Sequence, residues 1–298
     1  LLLARERPAL VHGLAYALPR LSRAPGVVTV HDLSFLRFPE AFPAANRLYL
    51  SRVTAASCRR ARRVIAVSQA TAADLTALLA IPPAKIEVIP NGVDASFRPH
   101  DPAAVAEMRR QQGWPPAFLL TVGTLEPRKN HLVLLEAYAR YRAMAAQPLP
   151  LLIAGGKGWY YETIFARVAD LGLTGHVHFL GFVPAALLPW LYNAAALFLY
   201  PSRYEGFGLP VAEALACATP TITTTASSLP EVAGAAALTL DPDDSLAWAH
   251  AMITLLADPE RQTALRQAGL NQAQRFRWPQ AAAATARVYQ RILEETHV

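Results

Sequence analysis

The chain of 298 residues has few charges, few cysteines and no long apolar run. Charged residues make up 17% of the sequence and hydrophobic residues 53%, a balance that excludes an intrinsically disordered chain. No run of 18 apolar residues occurs, so the sequence predicts no membrane-spanning helix. The two cysteines, Cys58 and Cys217, lack the spacing of a metal site. They indicate buried thiols in a reducing compartment.

An initiating methionine is also absent, as is a leader with a charged start and an apolar centre, so secretion is not predicted. The first residues, "LLLARERPALVHG", have the pattern of a helix end that enters a strand. Domains seldom begin inside such an element. We therefore expect that further residues precede this chain.

Positive charge is concentrated in the first third of the chain. Residues 1–112 hold 15 Lys and Arg against 8 Asp and Glu, whereas residues 113–298 hold 13 against 14. Six arginines crowd the stretch Arg47–Arg63 around apolar positions. This pattern fits a solvated helix face, or a surface that contacts anionic lipid or a diphosphate-bearing acceptor. Nucleic acid is not predicted as a partner, since no aromatic residues alternate with the basic ones.

Short apolar strands alternate with amphipathic helices along the whole chain, a pattern typical of α/β folds with parallel sheets. Two such series occur, separated by a proline-rich segment around residues 99–116. They predict two doubly wound, Rossmann-like domains, with ligands bound at the carboxyl ends of the strands. The predicted strands cover residues 27–30, 63–68, 86–90, 117–123, 150–156, 176–183, 197–202, 219–224 and 236–240.

The segment "RYEGFGLPVAEALACATP" (203–220) places two glutamates around a Gly-Phe-Gly turn that opens a helix. Glycines let a backbone approach a ligand, and free N–H groups at a helix start attract phosphate. Carboxylates accept hydrogen bonds from hydroxyl groups. Glu205 and Glu213 therefore fit a ligand with phosphates in the middle and hydroxylated rings at both ends, which is a nucleotide-sugar. The alternative is that the acids only complement the helix dipole.

This segment resembles the E-x7-E signature of retaining family-4 glycosyltransferases, which have the GT-B fold. The segments "HDLSFLRFPEAFP", "TVGTLEPRKN", "AGGKGW" and "FLGFVP" occur in the same order as in that family. Within it, the sequence is most similar to bacterial mannosyltransferases of O-antigen and polysaccharide assembly. The resemblance implies that the last helix packs on the first domain. The expected domains are therefore an acceptor domain, 1–112 with 279–298, and a donor domain, 113–278.

The resemblance implies roles for individual residues. Glu205 would bind hydroxyls of the transferred sugar, and Glu213 those of the ribose. Arg128 and Lys129 would neutralise the diphosphate, and His31 would face the sugar and phosphate during catalysis. The remaining donor-binding residues implied are Gly123, Thr124, Val183 (whose backbone would meet the base), Gly206, Phe207, Gly208 and Leu209.

Two positions depart from the family pattern. Ala218 stands where "ACGTP" usually has glycine, a change expected to have no effect. Thr124 stands where many relatives have arginine, so phosphate neutralisation is left to Arg128 and Lys129.

Three other patterns have simpler interpretations. Asp241 and Asp243 have a spacing used for metal-bound nucleotide-sugars in another fold, but they precede a predicted helix and are expected to cap it. His176 and His178 share a strand face without further ligands, so zinc is not predicted. "GGKG" (155–158) completes neither phosphate-binding glycine motif.

The sequence therefore predicts a retaining mannosyltransferase that uses GDP-mannose, without a metal or cofactor, on a lipid-linked or glycan acceptor. The expected location is the bacterial cytoplasm, with peripheral membrane contact through Arg47–Arg63. Two alternatives stay open. One is the same fold with a UDP- or dTDP-sugar donor, and the other is a nucleotide-sugar-binding fragment without transferase activity.

Overall fold

The computed structural model describes residue 6, residues 8–20 and residues 22–296, and within it the chain forms two compact units. The first unit consists of Leu1–Gly92, Glu205–Phe207 and Phe276–Val298. The second consists of Val93–Tyr204 and Gly208–Arg275. Each unit is built on its own parallel sheet with helices, as the alternating sequence pattern predicts.

The first unit contains a four-stranded parallel sheet with the order β1-β2-β3-β4. Its strands are β1 Val11–Gly13, β2 Gly26–Val30, β3 Arg63–Ala66 and β4 Ile86–Val88. Its helices are α1 Ser34–Arg37, α2 Ala44–Arg60, α3 Gln69–Leu79 and α12 Trp278–Thr296.

The two faces of this sheet are covered by different parts of the chain. Val28, Val30 and Val64 lie in a core shared with helices α1 to α3. Val27 and Ile65, one position along, point to the other face because side chains alternate in a strand. There they pack in a core with residues of α12. The sheet of the first unit is thus closed by the last helix of the chain.

Polar contacts also hold α12 in the first unit. The Tyr289 hydroxyl lies 2.5 Å from Nδ1 of His12, whose Nε2 lies 2.8 Å from the Thr29 hydroxyl. The imidazole of His12 thus contacts both hydroxyls, and burial lowers its pKa. In the last turn of the helix, Glu295 forms ion pairs with Arg62 and Arg63.

The second unit contains a six-stranded parallel sheet with the order β10-β9-β8-β5-β6-β7. Its strands are β5 Leu119–Val122, β6 Leu151–Ala154, β7 Val177–Gly181, β8 Leu197–Tyr200, β9 Thr221–Thr224 and β10 Leu238–Leu240. Its helices are α4 Pro102–Gln111, α5 His131–Met144, α6 Glu162–Asp170, α7 Leu188–Ala194, α8 Leu209–Ala216, α9 Leu229–Ala233, α10 Ser245–Leu256 and α11 Pro259–Ala273.

The strand order of the second sheet reverses at β5. From β5 the chain moves outward through β6 and β7, then returns to place β8 on the other side of β5. Loops that leave such neighbouring strands turn to opposite faces and open a crevice at the carboxyl edge. This switch point lies between the loop after β5 and the loop after β8.

The division of the chain differs from the expected one in three places, the smallest being the return to the first unit at Phe276 rather than at residue 279. The units separate at Gly92, before the expected position 112, because helix α4 packs against α7 of the second unit. The short stretch Glu205–Phe207 belongs to the first unit, although residues on both sides of it belong to the second. Helices α9 and α11 form within segments for which no element was predicted.

Both cysteines are buried and free, as expected. Burial raises the pKa of Cys58 to about 12, and it also raises the pKa of Cys217. Within the described ranges, no helix is long and apolar enough to cross a membrane.

Candidate donor-binding site

The loops after β5 and β8 meet at the switch point of the second unit. The loop after β5 contains Gly123 and Thr124 and ends in a 3-10 turn, Pro127–Lys129. Arg203, in the loop after β8, donates its backbone N–H to the carbonyl of Arg128 over 2.9 Å. The Ser202 hydroxyl donates to the same carbonyl over 3.2 Å. These hydrogen bonds join the two loops at the edge of the sheet where the fold predicts a ligand.

Two positively charged side chains, Arg128 and Lys129, lie at this edge of the crevice. Arg128 donates from Nη1 to the Tyr204 carbonyl over 2.7 Å and from Nη2 to the Glu126 carboxylate over 2.6 Å. Lys129 donates from Nζ to the hydroxyl of the buried Tyr200 over 2.8 Å. These bonds hold both side chains in defined positions, and the Glu126 carboxylate offsets the charge of Arg128.

Helix α8 begins at the same edge. Gly208 is its N-cap, with φ of +102°, and its side-chain position would lie 2.7 Å from the Leu229 side chain. Glycine is required there by both the backbone conformation and the space. No side chain caps this helix start, and Pro210 in its first turn has no N–H to donate. The N-terminus of α8 therefore presents its positive dipole end beside the β8 loop.

Glu213 lies beyond the first turn of α8. The helix starts at Leu209 and has no acidic residue in its first turn. The alternative that Glu213 complements the helix dipole is therefore wrong. Instead, its Oε2 accepts a 3.0 Å hydrogen bond from the hydroxyl of Tyr192, a fully buried residue of α7. Burial raises the pKa of Glu213 to about 7, and the Tyr192 bond opposes this rise.

The segment Glu205–Phe207 is packed within the first unit. A side chain on Gly206 would lie 1.6 Å from the carbonyl oxygen of His31, so only glycine fits there. The Thr71 hydroxyl donates to the Gly206 carbonyl over 3.1 Å, and Phe207 packs edge to face on Phe276. The packing of the protein itself therefore requires Gly206, a constraint that the sequence did not reveal.

His31 follows β2 at the carboxyl edge of the first sheet, as predicted. Its Nε2 donates to the Leu14 carbonyl over 2.9 Å. The neighbouring Asp32 accepts bonds from the backbone N–H and hydroxyl of Ser34, at 3.0 and 2.7 Å. Asp32 therefore has the turn-forming role that its position before α1 indicates.

The other predicted donor residues lie along the same edge of the second sheet. Gly123 directly follows β5, and Thr124 is exposed beyond it. Val183 follows β7 and is half-buried, while Leu209 is half-buried at the first position of α8. These residues belong to three loops at the carboxyl ends of β5, β7 and β8.

The expectation that Asp241 and Asp243 cap α10 is wrong, because the side chain that caps this helix is that of the neighbouring Asp244. Asp243 instead pairs with Arg203 at 2.7 Å, and Asp241 accepts a hydrogen bond from the Asp243 backbone N–H. Among the described residues, no three His, Cys, Asp or Glu side chains are grouped to hold a metal ion.

Ala218 has a backbone conformation that the sequence did not suggest. It follows α8 with φ of +56°, and the Thr219 N–H closes the helix on the Ala214 carbonyl over 2.9 Å. This is the left-handed position after a helix, where glycine is usual. An alanine there costs about 1 kcal/mol in strain, so the replacement does affect the free energy of unfolding.

Three residues that shape the site were missed by sequence reasoning. Glu126 forms an ion pair with Arg128. Its position two residues before the arginine could have indicated this contact from the sequence. Tyr200 is the last residue of β8, and its hydroxyl accepts a hydrogen bond from Lys129. The hydroxyl of Tyr192 donates a hydrogen bond to Glu213. Neither tyrosine belongs to a motif, so their roles follow only from the packing of α7 and β8.

Comparisons with protein families match both units. The family described as "Glycosyl transferases group 1" matches residues 105–272, and that described as "Glycosyltransferase Family 4" matches residues 1–97. The chain is 35% identical to O-antigen chain mannosyltransferase B of Escherichia coli, over 93% of this chain and 73% of that protein. It is 37% identical to D-inositol 3-phosphate glycosyltransferase of Segniliparus rotundus, over 74% of this chain and 50% of that protein.

Solved structures agree with these matches. Sucrose-phosphate synthase of Thermosynechococcus elongatus is 26% identical, with a TM-score of 0.83 over 99% of this chain and 76% of that one. HepE of Anabaena in complex with UDP and glucose is 25% identical, with a TM-score of 0.76 over 91% and 72%. The predicted fold class, two α/β domains with parallel sheets of the GT-B type, is confirmed.

Proposed function

Because the chain belongs to the group 1 family of glycosyl transferases, we propose that it is a retaining mannosyltransferase that uses GDP-mannose. Membership makes the chain a glycosyltransferase. The donor, the stereochemistry, the acceptor and the independence from metal and cofactor are proposed.

The observation that carries the proposal is the pairing of cations and a helix start at the switch point. Arg128 and Lys129 follow β5, and the N-terminus of α8 follows the adjacent β8. A diphosphate placed between them would meet two positive side chains and the dipole of the helix. As the bond to the sugar breaks, negative charge grows on this diphosphate, and fixed cations stabilise that charge.

Glu213 would bind the ribose of the donor. Its carboxylate is half-buried, is held by Tyr192, and would lie one turn beyond the start of α8 that receives the phosphate. Ribose hydroxyls would donate hydrogen bonds to the carboxylate, in place of the water molecules that folding excludes from it. Hydrogen bonds to a charged group contribute about 1.5–3 kcal/mol each.

Mannose as the transferred sugar is supported by relatives of stated activity. Besides O-antigen chain mannosyltransferase B, the serotype-specific mannosyltransferase WbdA of Escherichia coli is 29% identical over 91% of this chain and 34% of its own length. HepE, crystallised with UDP and glucose, supports the alternative of a UDP-sugar donor.

Retention would follow from a front-face reaction. The acceptor hydroxyl would attack on the side from which the diphosphate departs and pass its proton to a phosphate oxygen. This route needs no covalent intermediate on Glu205. The roles that the resemblance implies for His31 and Glu205 toward the sugar stay predictions, tested by transfer rates of His31→Ala and Glu205→Gln.

The first experiment is calorimetric binding of GDP, UDP and ADP to the full chain, with Glu213→Ala beside it. GDP is expected to bind most tightly and to lose about 10- to 100-fold in affinity in the variant. Tighter binding of UDP or ADP than of GDP would indicate a donor class other than GDP-mannose. If none of the three binds to folded protein, the donor site is wrongly assigned.

Transfer itself is tested with GDP-mannose and a polyprenyl-diphosphate-linked glycan in buffer with and without EDTA. Equal rates and an α-linked product by NMR would support a metal-independent, retaining reaction. A β-linked product would contradict retention, and loss of activity in EDTA would contradict metal independence. Nucleotide binding without any transfer would favour the alternative of a binding fragment.

A lipid-linked acceptor is supported by the surface of α2, which would make a peripheral contact with the inner membrane face in the cytoplasm. Arg47 and Arg52 are exposed there beside Leu48 and Tyr49, whose exposed fractions are 51% and 63%. Basic and apolar side chains on one helix suit an anionic bilayer.

The arginines near the end of the Arg47–Arg63 segment have partners within the protein. Arg60 donates to the Leu18 carbonyl, and Arg62 and Arg63 pair with Glu295. The sharper test therefore changes the start of α2, with Arg47→Gln and Arg52→Gln together. Weaker sedimentation with anionic vesicles is expected, and unchanged sedimentation would overturn the membrane contact.

A further inference from the structure

A pocket opens at the amino edge of the first sheet, opposite the edge that carries His31. It lies at the starts of β1 and β2, between the loop that joins these strands and the last turns of α2 and α12. Its volume is about 590 Å³, within the range of about 300–1,000 Å³ that is usual for small-molecule sites. The charged residues that line it are Arg20, Arg23, Arg60, Arg62 and Glu295. We name these four arginines the arginine pocket.

Two of the four arginines are held by the protein itself. Arg60 donates from Nη2 to the Leu18 carbonyl over 2.8 Å, and Arg62 lies 3.4 Å from the Glu295 carboxylate. Glu295 also pairs with Arg63, so its single negative charge is shared between two cations. The side chain of Arg62 is still 54% exposed. The pocket therefore keeps an excess of positive charge after its internal ion pairs are counted.

The other two arginines lie on the loop between β1 and β2. Arg20 and Arg23 are exposed, and neither forms a hydrogen bond or an ion pair with any residue that the structure describes. The Ser22 hydroxyl accepts a hydrogen bond from the Ala24 N–H over 3.2 Å, which bends the backbone at Arg23. Placing two further cations in a positive pocket costs free energy through like-charge repulsion. An anion bound among them would reverse this cost.

Complementing a helix end explains only part of this cluster. Basic residues in the last turn of a helix interact favourably with the negative end of its dipole. Arg59 and Arg60 occupy that position in α2. The end of α2 thus has two cations of its own, and its dipole does not account for the loop residues Arg20 and Arg23.

The lining of the pocket fits a phosphate group attached to an organic body. Guanidinium groups stay charged at any physiological pH and bind phosphate through pairs of parallel N–H bonds. The uncharged lining is largely apolar and includes Val11, Leu18 and Pro25. A bare phosphate ion would fill only a small part of 590 Å³ and would leave this apolar surface uncovered. An organic phosphate would use both parts of the lining.

We propose that the arginine pocket binds the phosphate group of an organic molecule, at a site separate from the donor-binding residues of the second unit. The inference does not rest on the proposed function, because it uses none of those residues. β2 runs from Gly26 to Val30, so the pocket at Gly26 lies roughly 17 Å from His31 at the other edge of the sheet. Its ligand is therefore an effector or an anchoring group and contributes no reacting atom.

The phosphate can come from a soluble compound or from a lipid headgroup. The first arm titrates glycerol 3-phosphate into the full chain and into the double variant Arg20→Gln, Arg23→Gln. The variant is expected to bind about 10- to 100-fold more weakly, because charge-assisted hydrogen bonds are lost. Its melting temperature without ligand should equal that of the original chain, since neither arginine has a partner among the described residues.

Two controls accompany this arm. Arg47→Gln with Arg52→Gln removes the same charge from exposed positions of the same unit and should leave the affinity unchanged. Lys129→Met changes the proposed donor site and should also leave it unchanged. An equal loss in both arginine pairs would mean that only overall charge attracts the ligand, and it would overturn the inference.

The second arm sediments the protein with phosphatidylcholine vesicles that contain phosphatidic acid, which carries the same phosphate monoester as glycerol 3-phosphate. Vesicles with phosphatidylglycerol, a phosphate diester, control for general charge. Sedimentation that requires phosphatidic acid and falls in Arg20→Gln, Arg23→Gln would identify a lipid headgroup as the ligand. Binding of free glycerol 3-phosphate that needs these arginines, without such sedimentation, would identify a soluble ligand. If neither probe binds, or if the double variant binds both as the original chain does, the inference is overturned, whatever the result with GDP.

Discussion

The two sheets of this protein are both parallel, yet they differ in strand order. In the first unit the four strands follow each other in chain order, whereas in the second the order reverses between β5 and β8. A reversal opens a crevice at the carboxyl edge, and an uninterrupted order does not. Among the described residues, the difference teaches that similar α/β patterns in sequence can give one sheet whose strand order reverses and one whose strand order does not.

The residues at the two carboxyl edges differ accordingly. The second sheet has Arg128 and Lys129 held by hydrogen bonds and a helix start that no side chain caps. At the edge of the first sheet, His31 and Asp32 bond to neighbouring parts of the same unit. We therefore expect changes at the edge of the second sheet to affect nucleotide binding, and changes in the core between the first sheet and α12 to leave nucleotide binding unaffected.

The largest effect is expected from Lys129→Met, which keeps the length of the side chain and removes its charge. Loss of one fixed electrostatic contact to a leaving group typically lowers kcat about 10²- to 10³-fold. Transfer kinetics with GDP-mannose measure this. Lys157→Met, in the loop after β6, is the matched control and should keep most of the activity. Equal loss in both variants would mean that Lys129 has no special role.

A second effect concerns Glu213, whose folded pKa of about 7 exceeds its ordinary value of 4.5. The folded state thus favours the protonated carboxyl. Its contribution to the free energy of unfolding is complete below about pH 4.5 and is lost as the pH rises through about 7. The loss is at most about 3 kcal/mol, at 1.36 kcal/mol per pH unit.

Urea unfolding at about pH 5 and about pH 8 measures this loss, and Glu213→Gln should show a smaller difference between the two. Nucleotide affinity should change in the opposite sense, because an ionised carboxylate accepts ribose hydroxyls better. Affinity is therefore expected to rise through about pH 7. Identical pH profiles of the variant and the original chain would contradict the assignment.

A third prediction tests the first unit. Tyr289→Phe removes the hydroxyl that contacts His12 and should lower the free energy of unfolding by about 1 kcal/mol, the usual value for one hydrogen bond. GDP affinity should stay unchanged, because this contact lies in the other unit. Tyr160→Phe, at an exposed position, is the control for loss of a hydroxyl. Weaker GDP binding by Tyr289→Phe would contradict the expectation that this part of the first unit does not affect nucleotide binding.

The smallest effect is expected at Ala218. Ala218→Gly relieves the strain of a left-handed alanine, about 1 kcal/mol, and loses part of this to the greater freedom of glycine in the unfolded chain. The net result is a gain of about 0.5 kcal/mol in unfolding free energy. Ala216→Gly, inside the last turn of α8, should lower it instead. A lower free energy of unfolding in both variants would contradict the inferred strain at Ala218.

Local pattern predicted much of this fold. Short apolar runs located the strands β2 and β3 close to their observed ends. These elements were readable because the side chains that they bury are set by their own periodicity. Helix α11 was missed because its segment, rich in Gln and Arg, has no clear apolar stripe.

The site was predictable to the extent that it follows strand ends. Arg128, Lys129 and the start of α8 lie where the sequence placed them, since parallel strands carry their loops to one edge. The partner of Glu213 could not be predicted, because Tyr192 reaches it through the packing of α7 on α8. The constraint on Gly206 was hidden for the same reason, since it depends on the carbonyl of His31, far away in sequence.

The closure of the first sheet by α12 has a consequence for how the chain folds during its synthesis. The ribosome releases β1 to β4 early, but the helix that covers one of their faces is released only after the second unit. At about 5–20 residues per second, that interval is roughly 10 to 40 s. During it, Val27, Ile65 and Ile89 lack their partners Val288 and Ile292. The nascent chain therefore carries an exposed apolar face, which chaperones have time to engage.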